Sequence, residues 1–196
     1  MVLQREGEDI MQELQLVDAC TQRHFEEMSL LHALGWRTTY APYLDSAYMA
    51  REITDTRWIP LFQENFNTKR AYGLILYRGD TPVSCATYCP IRDNSGLQGA
   101  DAQALETEGY EGWGEISSFY SHPGERGKGY GSLLMKELLH RLQETGYPGT
   151  VLYVLRENLA AKRFYERHGF APDGGYVELP FPPDFVNVDV RYVRRF

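Results

Sequence analysis

The stretch Arg126-Gly127-Lys128-Gly129-Tyr130-Gly131 joins a predicted strand, which ends near residue 121, to a predicted helix that begins near residue 129. Glycines at alternate positions let the backbone approach a ligand closely, and the first amides of a helix have no acceptor within it. A tight turn with a positive φ would explain one glycine. Three glycines flanked by two cationic side chains favour a binding site for an anion such as a phosphate.

Two common phosphate-binding motifs do not fit this turn. A Walker A loop needs Lys followed by Ser or Thr after its last glycine, whereas Lys128 precedes Gly129. The dinucleotide fingerprint separates its second and third glycines by two residues, and only Tyr130 stands between Gly129 and Gly131. Neither kind of nucleotide site is therefore predicted.

The turn resembles motif A of the GNAT superfamily of N-acetyltransferases, which reads Gln or Arg, two residues, Gly, one residue, then Gly or Ala. Arg126, Gly129 and Gly131 meet this pattern. The likeness continues after the next predicted strand with the family's series of residues, here Asn158, Ala161, Tyr165 and His168-Gly169-Phe170. It covers residues 113–170 closely, and the first half of the chain has a compatible order of elements without a matching motif.

The resemblance implies an α/β (α+β) fold in one domain that spans residues 1–196. The central sheet is expected to be mixed and largely antiparallel, with helices on both faces. Its fourth and fifth strands are expected to splay apart, and acetyl-CoA, the cosubstrate, would lie in the gap between them.

The resemblance also implies which residues hold acetyl-CoA. The pyrophosphate is expected on the glycine turn, formed by Arg126, Gly127, Lys128, Gly129, Tyr130, Gly131 and Ser132. The pantetheine arm is expected to pair, in the manner of a strand, with the backbone of Phe119, Tyr120 and Ser121. The Asn158 side chain is expected to help hold the cosubstrate.

Transfer of an acetyl group from a thioester to an amine requires a neutral amine, a stabilised oxyanion and a proton for the leaving thiolate. Glu115 is the predicted base, because strand alternation places it on one face with Ser117 and Phe119, where partial burial would suit that role. Its position relative to Arg126 is similar to that of the catalytic glutamate in the histone-acetylating branch of the family. A solvent-facing carboxylate, or one that binds the charge of the amine, is the alternative.

Tyr165 resembles the family's general acid for the coenzyme A thiolate, although an aromatic residue on a short helix also packs in cores. A phenol with a pKa of about 10 is protonated at neutral pH and can donate. The resemblance suggests the backbone N–H of Phe119 for the oxyanion. His122, beside Pro123, is typical of an exposed turn and is only a reserve base, and the histidines on predicted helices, His32 among them, have no visible partner.

Hydrophobic periodicity and turn residues predict the remaining elements. Thr21 is predicted to cap a helix that Gly35 ends, and a helical region over residues 46–65 is interrupted near Pro60. Residues 93–112 hold five acidic residues and no Lys or Arg, which indicates a polar insertion or loop. The other predictions are a hairpin over 71–77 and 83–91, strands over 14–16, 113–121, 151–155, 176–179 and 186–193, and helices over 129–145 and 158–168.

Composition limits the classes of partner. A chain of 196 residues with 43% hydrophobic and 24% charged residues is typical of a globular domain. A net charge of −7 argues against nucleic acid or an anionic membrane as a partner. Residues 1–114 contain 9 basic and 17 acidic residues, a net charge of −8, while the remainder is nearly neutral.

The charge of the first half of the chain is relevant to the identity of the acceptor. In the family resembled, the N-terminal helices and variable loops largely set acceptor specificity. An acidic, aromatic wall favours a small cationic amine. Ordinary solubilising charge is the alternative explanation of the acidic residues. A protein lysine or N-terminal amine is the alternative acceptor, and a non-catalytic coenzyme A-binding sensor is the alternative function.

Cysteine usage indicates a reducing, cytoplasmic location, because Cys20, Cys85 and Cys89 are too few for a disulfide framework. Cys85 and Cys89 are expected to be small core residues on one strand face, and no Cys or His pair has the spacing of metal ligands. No stretch approaches the ~18 apolar residues of a membrane span, and the acidic start argues against a signal peptide. The final strand, residues 186–196, is expected at a homodimer interface or as an edge strand that arginines protect.

Overall fold

A computed structural model describes residues 14–92, 109–181 and 185–196. The strands in these ranges are β1 (Leu14–Asp18), β2 (Tyr72–Arg78), β3 (Thr81–Pro90), β4 (Gly114–Ser121), β5 (Gly149–Leu155), β6 (Ala171–Phe181) and β7 (Phe185–Arg195). The α-helices are α1 (Gln22–Tyr40), α2 (Ser46–Glu52), α3 (Ile59–Asn67), α4 (Tyr130–Glu144) and α5 (Leu159–Arg167). A short 3-10 helix over Pro123–Glu125 lies between β4 and the glycine turn.

The strands form one sheet in the order β1-β2-β3-β4-β5-β7-β6. Every neighbouring pair is antiparallel except β4 and β5, which are parallel. These two strands pair only from Gly114 to Ile116 on β4 and from Thr150 to Leu152 on β5, although β4 continues to Ser121 and β5 to Leu155. The opening between residues 117–121 and 153–155 is called the β4–β5 gap below. The predicted mixed sheet and its splay are thus confirmed.

Helices cover both faces of the sheet, as predicted. On one face, Leu134 and Leu138 of α4 and Tyr165 of α5 pack with Leu74 and Ala86 of the central strands. On the other face, α1 and α3 pack on the alternate strand positions through Phe25, Met28, Phe62, Ile75 and Cys85. Strand alternation therefore gives each helix layer its own apolar surface, and burial of these side chains stabilises the fold.

The prediction that Gly35 ends the first helix is wrong, because α1 continues to Tyr40. Thr21 does cap the helix, and its side chain accepts a hydrogen bond from the amide of His24 at 3.3 Å. A β-carbon added to Gly35 would lie 2.9 Å from Cε1 of Tyr120 and nearer still to Cδ1. Gly35 is therefore an interior helix residue whose missing side chain lets α1 approach β4.

The helical region after α1 breaks earlier than predicted. Helix α2 ends at Glu52, and Pro60 lies in the first turn of α3, where a missing amide hydrogen costs nothing. The hairpin is confirmed with a two-residue turn at Gly79 and Asp80 between β2 and β3. Most of the acidic segment over 93–112 lies outside the described residues.

The final strand is not an edge strand, so that prediction is wrong. Strand β7 lies between β5 and β6, and β6 forms the edge. Of the arginines predicted to protect it, Arg191 is buried, and its Nε donates to Asp173 Oδ2 at 2.8 Å. Cys85 and Cys89 are buried and unpaired on β3, as predicted. No helix in the described ranges has both the length and the apolarity to cross a bilayer.

Candidate active site

The glycine turn forms an open backbone cradle. Gly127 and Gly129 have φ angles of 82° and 87°, and an added β-carbon would meet no atom within 4 Å at either position. Helix α4 begins directly after Gly129, so the amides of Tyr130 and Gly131 have no acceptor within the helix. The arrangement of free amides, positive helix end and absent side chains fits a phosphate group.

The side chains of the turn contribute less than its backbone. Arg126 is exposed, whereas the Lys128 ammonium pairs with Glu125 at 2.9 Å. The Tyr130 ring is buried with Leu76 and Val83, so it points into the core. Any contact of Tyr130 with a phosphate would therefore come from its amide.

The predicted pantetheine residues lie along the β4–β5 gap. Phe119, Tyr120 and Ser121 pair with β3 on one side, and on the other side no described strand pairs with β4 beyond Ile116. Asn158 follows β5 and caps α5, since its Oδ1 accepts from the Ala161 amide at 3.1 Å. Its Nδ2 has no acceptor among the described residues. The structure brings all of these groups to one end of the sheet.

A register shift in β4 changes which side chains share a face. Thr87 pairs with Ser118 and Tyr88 with Ile116, so Ser117 is an extra residue in the ladder. Phe119 consequently packs with Ile116 under α4, while Ser118 faces α1. The prediction that Glu115 and Phe119 lie on one face is wrong, because a bulge reverses the alternation beyond it.

Glu115 is only 1% exposed and is held by Arg92. The Arg92 Nε donates to both carboxylate oxygens at 3.0 and 2.9 Å, Nη2 also contacts Oε1, and the Arg92 amide donates to Oε2 at 3.2 Å. Both oxygens therefore have charged or backbone donors. Sequence reasoning did not single out Arg92, because it follows a predicted strand with no motif around it.

Tyr165 is buried on α5 against Phe170. Burial raises its pKa, and the nearby charge of Asp189 raises it further. The hydroxyl is therefore protonated at neutral pH. No described residue forms a hydrogen bond with it, so its proton is available to a ligand.

Asp189 and Asn187 of β7 were missed by sequence reasoning. Asp189 adds its charge to burial in raising the pKa values of Tyr40, Tyr120 and Tyr165, which places its carboxylate near all three phenols. Burial raises the pKa of Asp189 itself to about 6, with a further contribution from Glu157 and an opposing hydrogen bond from Asn187. The available signal was the alternation of Asn187, Asp189 and Arg191 with valines, which is unusual on an interior strand.

His32 has partners that its sequence did not show. Its Nδ1 lies 2.8 Å from the Met28 carbonyl and its Nε2 3.0 Å from Ser118 Oγ, so Nδ1 carries the hydrogen and Nε2 accepts. Burial lowers the pKa of His32 to about 4, and the imidazole is neutral at pH 7. His122 is a turn residue, as predicted, and its Nδ1 accepts from the Gly124 amide at 3.2 Å.

Comparison with known proteins agrees with this geometry. The sequence model of the Acetyltransferase (GNAT) family matches residues 15–170. A mycothiol acetyltransferase of Nocardia farcinica is 41% identical over 59 residues, which cover 30% of this chain and 20% of that protein. The aligned segment therefore spans about a fifth of the length of that curated relative.

Two solved structures share the fold. A ribosomal-protein-alanine N-acetyltransferase from Brucella melitensis superposes with a TM-score of 0.68 at 17% identity, over 93% of this chain and 99% of that one. The PaiA N-acetyltransferase from Thermoplasma acidophilum, in complex with coenzyme A, gives 0.65 at 14% identity over the same shares. The predicted resemblance to the GNAT family is confirmed. With a family match over residues 15–170, a splayed β4–β5 pair and a glycine turn at its open end, the chain belongs to the GNAT family of acetyltransferases.

Proposed function

We propose that the protein is an N-acetyltransferase that moves the acetyl group of acetyl-CoA to a primary amine of a small cationic molecule. The observation that carries this proposal is the position of the glycine turn at the open end of the β4–β5 gap. An anion cradle and a strand edge that no described strand pairs with match the two ends of a long phosphorylated cosubstrate. The amine attacks directly, so no protein nucleophile is required.

The fit of acetyl-CoA rests on three features of the described residues. Gly127 and Gly129 leave their backbone accessible, and the amides at the start of α4 can receive the pyrophosphate. The open edge of β4 offers backbone groups to the amides of a pantetheine arm. The Nδ2 donors of Asn158 lie beyond the end of β5, next to the same gap.

Three groups supply the chemistry in this proposal. Tyr165 donates its phenolic proton to the departing thiolate as the carbon–sulfur bond breaks. The Phe119 amide stabilises the oxyanion. Glu115 takes the proton of the amine through water; its place on β4 supports the role, and Arg92, which donates to both carboxylate oxygens, fixes its orientation.

A small cationic acceptor is supported by charge and by aromatic residues. The net charge of −8 over residues 1–114 attracts cations, and Trp36 stacks on Tyr40 at 4.3 Å between ring centroids beside the gap. The acceptors named for the similar proteins differ from one another, so they do not select one for this chain. A cytoplasmic location and a homodimer stay predictions.

Release of the coenzyme A thiol from acetyl-CoA tests the proposal. Polyamines, amino acids, aminoglycosides and short peptides serve as acceptors for the wild type, Tyr165→Phe and Glu115→Gln. We expect turnover with small cationic amines and a loss of tenfold or more in each variant. The exposed Tyr176 and Glu178 supply the matched controls Tyr176→Phe and Glu178→Gln, which should retain full activity.

Other results would point to the alternatives. Turnover with peptides alone would indicate a protein acceptor. Binding of acetyl-CoA without turnover on any acceptor would indicate the non-catalytic sensor and overturn the proposal.

A further inference from the structure

Asn187 and Asp189 lie two residues apart on β7 and share the sheet face that packs against α1. Their neighbours Val190 and Tyr192 pack in the core under α4, on the opposite face. Asp189 pairs with Leu155, the last residue of β5, and Leu155 packs with Ala33 and Tyr40 of α1. The two polar side chains therefore lie beside the β4–β5 gap, on the side opposite to the glycine-turn helix.

The two side chains present acceptors without donors. Asn187 is 1% exposed, and its Nδ2 donates to Asp189 Oδ1 at 2.8 Å, which fixes the orientation of the amide. The Asn187 Oδ1 is buried and has no hydrogen-bond partner in the described ranges. Asp189 Oδ2 likewise has no donor among those residues. A buried acceptor without a donor is costly, so a ligand that brings donors is favoured here.

The surroundings select the charge of that ligand. In the part of the chain that the structure describes, no Lys, Arg or His pairs with Asp189, and the nearby charge is the carboxylate of Glu157. The carboxylate interacts electrostatically with Tyr40, Tyr120 and Tyr165, and the Trp36 ring stacks on Tyr40 at 4.3 Å between centroids. A protonated amine has three hydrogen-bond donors for the two acceptors. Its positive charge is attracted to the carboxylate and to the faces of the aromatic rings.

We infer that the Asn187–Asp189 pair binds the protonated amino group of the acceptor at the β4–β5 gap, and so determines that the acceptor is cationic. This inference rests on the proposed function, because an acceptor site has meaning only beside the cosubstrate. Asp189 Oδ2 and Asn187 Oδ1 each accept one hydrogen bond from the ammonium group. The carboxylate carries its charge at neutral pH, because its pKa lies at about 6.

Binding of n-butylammonium and of 1-butanol to the full chain, followed by amide NMR in saturating coenzyme A, tests the inference. The two probes match in shape and differ in charge. In the wild type we expect butylammonium to bind at least tenfold more tightly than butanol and to shift the amides near residues 187–189. Asp189→Asn should lose this preference, Asn187→Ala should weaken it, and Glu178→Gln, on the neighbouring strand, should retain it.

Acetyl-CoA affinity and melting temperature, measured on the same samples, distinguish a failure of the proposed function from a failure of the amine site. A folded wild type that binds no acetyl-CoA would contradict the proposed function itself. Normal acetyl-CoA binding with equal affinity for the two probes, or an unchanged preference in Asp189→Asn, would overturn only the amine site. An Asp189→Asn variant that is folded yet binds acetyl-CoA weakly would assign the pair to the cosubstrate and also overturn the inference.

Discussion

Gly35 of α1 lies against the ring of Tyr120 on β4 so closely that the glycine cannot gain a β-carbon without displacing the ring. Tyr120 also borders the β4–β5 gap, and its ring contacts His32, one turn earlier on α1, at 4.4 Å between ring centroids. The contact therefore sets the distance between the first helix and the candidate acceptor side of the site.

Gly35→Ala should destabilise the protein, although alanine is the better helix former. Overpacking of a filled core costs ~1–3 kcal/mol, which exceeds the free energy gained from the higher helix propensity of alanine. Urea unfolding of Gly35→Ala measures the change, with Leu30→Ala at an exposed position of the same helix as the control. A variant as stable as the wild type would show that α1 can move away from β4 at no cost.

Arg92 should stabilise the fold through Glu115. Arg92→Met leaves a buried carboxylate without its charged partner, and we expect a loss of about 3 kcal/mol in the free energy of unfolding. The double variant Arg92→Met with Glu115→Gln should recover most of that loss. Arg51→Met breaks the exposed pair with Glu52 and should change little. Equal stability of Arg92→Met and Arg51→Met would show that Arg92 does not stabilise the buried carboxylate of Glu115.

His32 should make stability fall in mild acid. Its pKa is lowered from 6.5 to about 4 in the folded protein, so the unfolded chain binds a proton first as pH falls. Stability from this group is complete above pH 6.5 and is lost between pH 6.5 and about 4, by ~3 kcal/mol. Unfolding free energies at the two ends of this range measure it. His32→Gln should show a smaller acid loss than the wild type, whereas the exposed His140→Gln should match the wild type.

Gly129→Ala should weaken the binding of acetyl-CoA more than it weakens the fold. A non-glycine residue at this positive φ costs ~1–2 kcal/mol, and the new methyl group occupies the cradle. Gly79→Ala, in the β2–β3 turn, has a similar positive φ and equally open space away from the site. Calorimetric affinities should fall on the order of tenfold or more in Gly129→Ala alone. An equal, small change in acetyl-CoA affinity in both variants would show that the turn is not part of the cosubstrate site.

Sequence reasoning found the features that depend on short stretches of chain. The glycine turn, the hairpin around Gly79 and the start of the helix at Asn158 are set by neighbouring residues, and each is in its predicted place. The splay of β4 and β5 was available only through the resemblance, because strand pairing joins segments that are distant in sequence.

The errors share a physical cause, since each depended on a tertiary contact. Gly35 reads as a helix stop unless the Tyr120 ring is known to lie beside it. The bulge at Ser117 follows from the pairing of β3 with β4 and has no local turn residue to mark it. The sequence of β7 is compatible with an edge strand, and only the sheet order shows that β6 lies at the edge instead. The position of Asp189 beside the gap also depends on this order and could not be predicted from the sequence.

Hydrogen–deuterium exchange with and without acetyl-CoA shows whether acetyl-CoA lies in the β4–β5 gap. We expect slower exchange in peptides that cover residues 117–121 and 127–132, because the β4 edge that no described strand pairs with and the amides at the start of α4 gain acceptors. The β2–β3 turn around Gly79 should exchange at the same rate in both states. Protection that spares residues 117–121 and 127–132, or that appears only elsewhere in the chain, would show that acetyl-CoA does not bind in the gap.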